Sequence, residues 1–476
     1  MNQMGGANMK RISIAVLVVM MAAAPGPVSA QDAGTKAITV IYRRFAGVMA
    51  VVYFTLDTSQ GSREMMGTGV CVSRDAQGRA IFLTTALRLQ VRRDDMKNFR
   101  LSPSGPDGKT VAAELMGIDP ATSFAFLRTS QPQVWPHVTF DAPNTLAIGQ
   151  QVVSVGLLGR DTGYASYLGV AHVAGKIHIP ETLYHVTGGR LTGVCSPVFN
   201  LAGKAVGIVD RQLPLTYQML TGRAQPVLVA LTGREDQVFF LPVEEFTQAI
   251  ENIPTASWPP RRAWMGVLNF VPISQESANT FNVNSPAVLI GQVIPEMPAA
   301  KAGLKNRDII TGLNGRPLEK FATPALVVRN FLKQLQRVGA GGQITLTVLR
   351  DAKEFSAAVT LAPVPTEAHE ARRYFAAKLG VVLRGKVTMD RYRDLSPTAT
   401  VQGLVVLQVV AGGSADQGRL KRGDLVTSVN GQPVSTTVEA SRLIEKSLKD
   451  SPKKTIVLLV QRGSEVRPIS ILPPTR

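Results

Sequence analysis

A chain of 476 residues exceeds what one hydrophobic core organises and fits two to four domains. With 45% apolar and 18% charged residues it excludes a disordered or fibrous class. The net charge of +18 suits an anionic partner, but residues 370–476 spread 18 Lys/Arg against 9 Asp/Glu along strands and helices. No recognition motif accompanies that charge, so the expectation is no nucleic acid and, at most, loose attraction to an anionic envelope surface.

In chain order, residues 1–30 read as a signal peptide. Lys10 and Arg11 precede a thirteen-residue apolar run, Ile12 to Ala24, and "PGPVSA" ends in small residues at Ala30. As a helix that run reaches about 20 Å, short of a bilayer's ~30 Å. Export to the periplasm or the extracellular space, with cleavage near Ala30, is therefore expected. Residues 31–252 alternate apolar and polar positions in short runs such as "VMAVVYFTL", "QQVVSVGLL" and "QVFFLPVEEF", the pattern of an all-β barrel or sandwich. Pro- and charge-rich linkers follow at 252–262 and 361–373.

The pieces they separate, 262–363 and 374–476, repeat one another. "VLIGQVIPEMPAAKAGLKNRDIITGLNGRPL" and "GLVVLQVVAGGSADQGRLKRGDLVTSVNGQPV" share strand, short helix, strand, Asn-Gly hairpin and strand. Amphipathic helices are expected at Thr323 to Val338 and Thr436 to Leu448. Both pieces resemble PDZ domains, which add the end of an extended peptide as a strand beside a helix. The resemblance implies that "WMGV" (Trp264, Met265, Gly266, Val267) and "LGVV" (Leu379, Gly380, Val381, Val382) receive a peptide carboxylate. Arg307 stands where the second copy has a turn glycine, and Asn306 is expected to absorb the left-handed conformation there.

Residues 31–252 resemble the chymotrypsin-like double β-barrel of HtrA/Deg-like proteases, secreted enzymes with PDZ domains behind a trypsin-like domain. The whole is thus expected to be mainly β: a double barrel and two α+β, sandwich-like PDZ modules. "GTGVCVS…LTTALRL", "DPATSFAFLR" and "TGVCSPVFN" resemble the segments that carry the family's His, Asp and Ser. Leu87, Ser123 and Val194 occupy those positions. Leucine and valine transfer no protons, so the triad chemistry has no carriers there. All five histidines lie at or beyond His137, which rules out the family's chain order.

The expectation is a non-enzyme, a pseudoprotease of envelope protein quality control that binds C-terminal or unfolded polypeptide segments as adaptor, chaperone-like protein or regulator. The resemblance also implies a homo-trimer or a hetero-oligomer with an active relative. Two alternatives stay open: an endopeptidase with a non-standard nucleophile such as Cys195, with His185 or His172 as base, and a basic envelope scaffold. Neither a metal-ligand spacing nor a phosphate loop is present, so no cofactor is expected. Cys71 and Cys195 read as small buried apolar residues, with their pairing undecided.

Overall fold

The computed structural model describes residues 30–474 apart from 59–60, 89–90, 104–108, 141–145, 214, 221–225, 232–236, 255–261, 275, 277, 279–282, 284–285 and 394–400. The leader and most of the first linker lie outside the described residues. Among the described residues no helix is long and apolar enough to cross a membrane.

The alternating runs form two closed six-stranded barrels. The first joins β1 (Met49–Thr58), β2 (Gly61–Arg74), β3 (Ala80–Thr84), β4 (Met96–Pro103), β5 (Val111–Ile118) and β6 (Ala125–Thr129) in the order 1-2-3-6-5-4. The second joins β7 (Gln151–Leu157), β8 (Ser166–His178), β9 (Thr182–Thr187), β10 (Pro197–Asn200), β11 (Ala205–Leu213) and a last strand, Gln237–Pro242. Between those two runs an antiparallel hairpin of β12 (Leu215–Leu220) and β13 (Pro226–Leu231) forms a sheet of its own, so the last barrel strand is β14.

The two-residue period of a strand sends alternate β1 side chains into the first barrel, while the start of the strand meets a second core. Ala50, Val52 and Phe54 fill the first barrel with Cys71, Phe82, Leu101 and Trp135. Val48 and Met49 face the seam between the barrels, with Val70, Leu83, Phe124, Val155, Phe199 and Ile208. Cys71 and Cys195 are both free and buried.

The alternation gave no sign of the helix Ala30–Phe45 that precedes β1. Its Ile41 and Phe45 join the seam, Phe45 stacking on Phe199 at 4.3 Å, and the Tyr42 hydroxyl donates to the Ser166 carbonyl. Burying two such side chains contributes about 2 kcal/mol each, which anchors this segment to the seam.

Each repeat folds into a module with its own core. The first comprises β15 (Ala263–Trp264), β16 (Phe270–Pro272), β17 (Val288–Ile290), β18 (Ile309–Leu313), β19 (Arg316–Pro317), β20 (Gln343–Arg350), β21 (Lys353–Thr360) and β22 (Ala362–Pro363). The second comprises β23 (Arg373–Ala376), β24 (Val381–Gly385), β25 (Leu404–Val409), β26 (Leu425–Val429), β27 (Gln432–Pro433), β28 (Ile456–Arg462) and β29 (Glu465–Ile471). The long helices run Pro324–Val338 and Thr437–Asp450, within two residues of their expected limits.

Asn314-Gly315 and Asn430-Gly431 all have positive φ, as a tight hairpin turn requires. One expectation is corrected. The left-handed residue in "KNRD" is Arg307 itself, at φ 72°, opposite Gly423 at φ 91°. Asn306 is held in place because its Oδ1 accepts the Val293 amide, which leaves Arg307 to make the turn.

Candidate functional site: the seam between the barrels and two strand-binding grooves

Three segments converge at the seam. Thr68 Oγ1 donates to the Val194 carbonyl at 2.9 Å, the Cys195 thiol points at the Leu83 carbonyl at 3.5 Å, and Arg88 donates to the Thr122 carbonyl at 3.3 Å. Hydrogen bonds thus gather the segments bearing Leu87, Ser123 and Val194. Their side chains go different ways. Leu87 is buried in the core of the first barrel rather than facing the seam. Ser123 sits left-handed at φ 61° in the turn capped by Asp119. Val194 is partly exposed, and Cys195 behind it adopts φ 73° where the family has glycine.

The alternative nucleophile fares poorly. Cys195 is fully buried, and burial pushes its thiol up to about 11, so it stays protonated near pH 7. His172 and His185 lie on β8 and β9, and His185 tilts over Phe239. No hydrogen bond among the described residues joins either to the 192–196 turn.

The seam holds groups that sequence reasoning missed. Arg88, next to Leu87, donates from Nη1 to Asp210 Oδ1 at 3.0 Å across the barrels, with its guanidinium 5.4 Å from the Phe124 ring centre. The Asp210 side chain is nearly wholly buried, and Arg88 supplies the counter-charge it needs. An aspartate ending the apolar strand "AVGIVD" was the signal that could have found this pair.

Two residues before Val194, the Thr192 amide turns inward and donates to Ser154 Oγ at 2.7 Å. Backbone amides of this loop form the family's oxyanion hole, and the one at Thr192 is already engaged. The Thr192 hydroxyl is buried with no partner among the described residues. Ser196 is buried beside Gly156, where an added Cβ would come within 2.6 Å of Thr192 and 2.7 Å of the Ser196 hydroxyl.

The two apolar-Gly-apolar loops open their modules as the repeat implies. Gly266 has φ +82° and Gly380 φ +69°, conformations that favour glycine. Met265 and Val267 are buried under the first loop, and Trp264 Nε1 donates to the Val267 carbonyl at 2.9 Å. Leu379, Val381 and Val382 are buried under the second.

The helix of the first module docks onto the second barrel. Lys333 Nζ and Arg337 reach Glu245 at 2.7 and 3.0 Å. Burial works to raise the Glu245 carboxyl, but Lys333, the Thr182 amide and Arg337 together hold it below the usual carboxylate range. A cavity of about 330 Å³ lies beside this contact, lined by His178, Glu319, Asn330 and Lys333 among others.

Comparison with known proteins matches residues 67–208 to a trypsin-like peptidase domain and residues 278–361 and 405–462 to PDZ domains. A relative from Marinomonas is 26% identical over 81% of this chain and 75% of its own length. One from Chlamydia trachomatis is 24% identical over 76% and 67%. Both are named probable periplasmic serine endoprotease DegP-like. A solved HtrA-type protease with a decapeptide shares the fold, at TM-score 0.51 and 16% identity over 70% of this chain and 98% of that one. These relatives correct the expectation of a non-enzyme: serine endoproteases by name, they point to a protease. Two closed barrels, two PDZ domains and DegP-like relatives together support the HtrA family for this chain.

Proposed function

We propose that this chain is an exported, DegP-like endopeptidase of envelope protein quality control that gathers C-terminal or unfolded polypeptide segments through its PDZ modules. The observation that carries the binding half is the pair of left-handed glycines, Gly266 and Gly380, each heading a strand that faces a long helix. Such a loop turns its amides toward an anion, and the adjoining strand offers a ladder to an extended peptide. The contact residues would be Trp264 to Val267 and Leu379 to Val382.

The hydrolytic half rests on the names of the relatives and calls for a non-standard site. Leu87 and Val194 carry no exchangeable protons, so peptide cleavage at the seam would draw on the hydroxyls around position 194, those of Thr192 and Ser196, with Asp210 as the nearby carboxylate. Export is supported by the basic and apolar leader and by relatives called periplasmic. The positive charge supports anionic envelope surfaces as further contacts, and family membership supports a trimer, alone or mixed with a relative.

The test is degradation of casein and of unfolded polypeptides by the purified mature chain, alongside Thr192→Val and Ser196→Ala. Cleavage that one of these variants abolishes is the expected result. No cleavage at high enzyme concentration would remove the hydrolytic half. Equal binding of free and amidated peptide C-termini would remove carboxylate capture.

A further inference from the structure

The two grooves differ in what lies on the strand that an incoming peptide would join. In the first module, β16 pairs with β17 on one side, and its other edge faces the helix Pro324–Val338. In the second, β24 pairs with β25 on one side and with β23 on the other. The β23 strand runs antiparallel to β24 in unbroken register, from Arg373 opposite Arg384 to Ala376 opposite Val381. It also packs against the helix Thr437–Asp450. An added peptide strand would occupy this same slot, in the same antiparallel sense.

The side chains complete the occupation. Tyr374 packs on the module's core, on the strand that lies against the helix, with its hydroxyl in the neighbourhood of Ser441 and Glu445. The Ala376 carbonyl accepts the Leu379 and Gly380 amides at 3.0 and 2.9 Å, taking the loop donors that a terminal carboxylate would need. Among the described residues, the corresponding Met265 and Gly266 amides of the first module have no backbone acceptor.

We infer that Arg373–Ala376 is a built-in ligand of the second PDZ module, a strand of the chain itself that fills the peptide groove and anchors there through Tyr374. A polypeptide C-terminus gains this groove only by displacing that strand, whereas among the described residues no strand pairs with the outer edge of β16. The inference rests on the peptide-binding reading only for its consequence, since occupation of the slot is a property of the chain alone.

The experiment has two readouts on the full mature chain. Hydrogen exchange over residues 381–385 reports the occupied edge without any ligand, because an unpaired strand edge exchanges quickly. In the native chain this segment should be protected, and Tyr374→Ala should speed its exchange about 10-fold or more. The segments 404–409 and 456–462 should hold their protection, which shows that the module is still folded.

Titration with a pool of fluorescent decapeptides of random sequence, ending in a free apolar carboxylate, should give one site per chain. In Tyr374→Ala it should give two. Tyr374→Phe keeps the ring, loses the hydroxyl and should fall between. Fast exchange over 381–385 in the native chain would overturn the inference, as would two peptide sites in the native chain. Protection without any peptide binding would sustain the occupied slot and defeat the peptide-binding function.

Discussion

The two PDZ modules share a fold, a hairpin turn and a buried ion pair, yet in the second a strand of the chain pairs along β24, while among the described residues none pairs with the outer edge of β16. The first module engages outward: its helix meets the second barrel through Lys333 and Arg337 on Glu245. The second engages inward, with its helix packed against the chain's own lead-in strand and Tyr374 on the module's core. A duplicated framework can therefore carry two different roles, because groove occupancy depends on a few residues outside the repeated core.

The shared framework sets the strongest test. In the first module Arg350 grips Asp308 with two bonds of 2.6 Å and also donates to the Gly303 carbonyl; in the second Arg462 does the same with Asp424 and the Arg419 carbonyl. Both aspartates are buried. Arg350→Met and Arg462→Met each strand a buried carboxylate and should cost their modules about 3–5 kcal/mol in urea unfolding. Clearly unequal losses would break the equivalence of the two frameworks.

A glycine pair should separate the modules. At Gly266 a Cβ would lie 2.2 Å from the Met297 Cβ, while at Gly380 the nearest atom is Val410 Cβ at 3.3 Å. Both glycines are left-handed, so Gly380→Ala should cost about 1 kcal/mol and Gly266→Ala about 2–4 kcal/mol, the excess being overpacking. Equal costs would contradict the tighter first loop.

Helix starts give a smaller contrast. Thr436 accepts the Glu439 amide in a capping box, while Thr323 makes no side-chain cap. Thr436→Ala should destabilise by about 1 kcal/mol in the same unfolding assay, and Thr323→Ala by only a few tenths.

A further contrast is a pH slope. Burial first, then the Glu445 carboxylate, push the Tyr374 hydroxyl up to about 12 from its ordinary 10. The folded module then keeps a proton that the unfolded chain loses between pH 10 and 12. This contribution is complete below pH 10 and is lost as the pH climbs toward 12. Tyr374→Phe should flatten that slope relative to the native chain, and an unchanged slope would place the titration elsewhere.

Much of the fold was legible because it is written in local periodicity. Alternation announced the barrels, and Asn-Gly steps with amphipathic runs announced the repeats. The lead-in strand was not legible. "RRYFAAKLG" straddles the expected end of the linker at Arg373 and the start of the module at Tyr374, and no strand was expected there, although Tyr374 and Phe375 are aromatic residues of the kind strands prefer. At the seam, resemblance singled out Leu87, Ser123 and Val194, but the Arg88–Asp210 pair was not legible, because its members lie 122 residues apart.

The sequence by itself determined which segments become strands and helices and where the turns fall, since backbone preference and apolar spacing act over a few residues. Only the tertiary structure decided that Leu87 leaves the seam for a barrel core while its neighbour crosses to a buried aspartate, and that Arg373–Ala376 pairs along β24. Burial and strand pairing bring together groups remote in the chain, and their energies depend on what else competes for the same space.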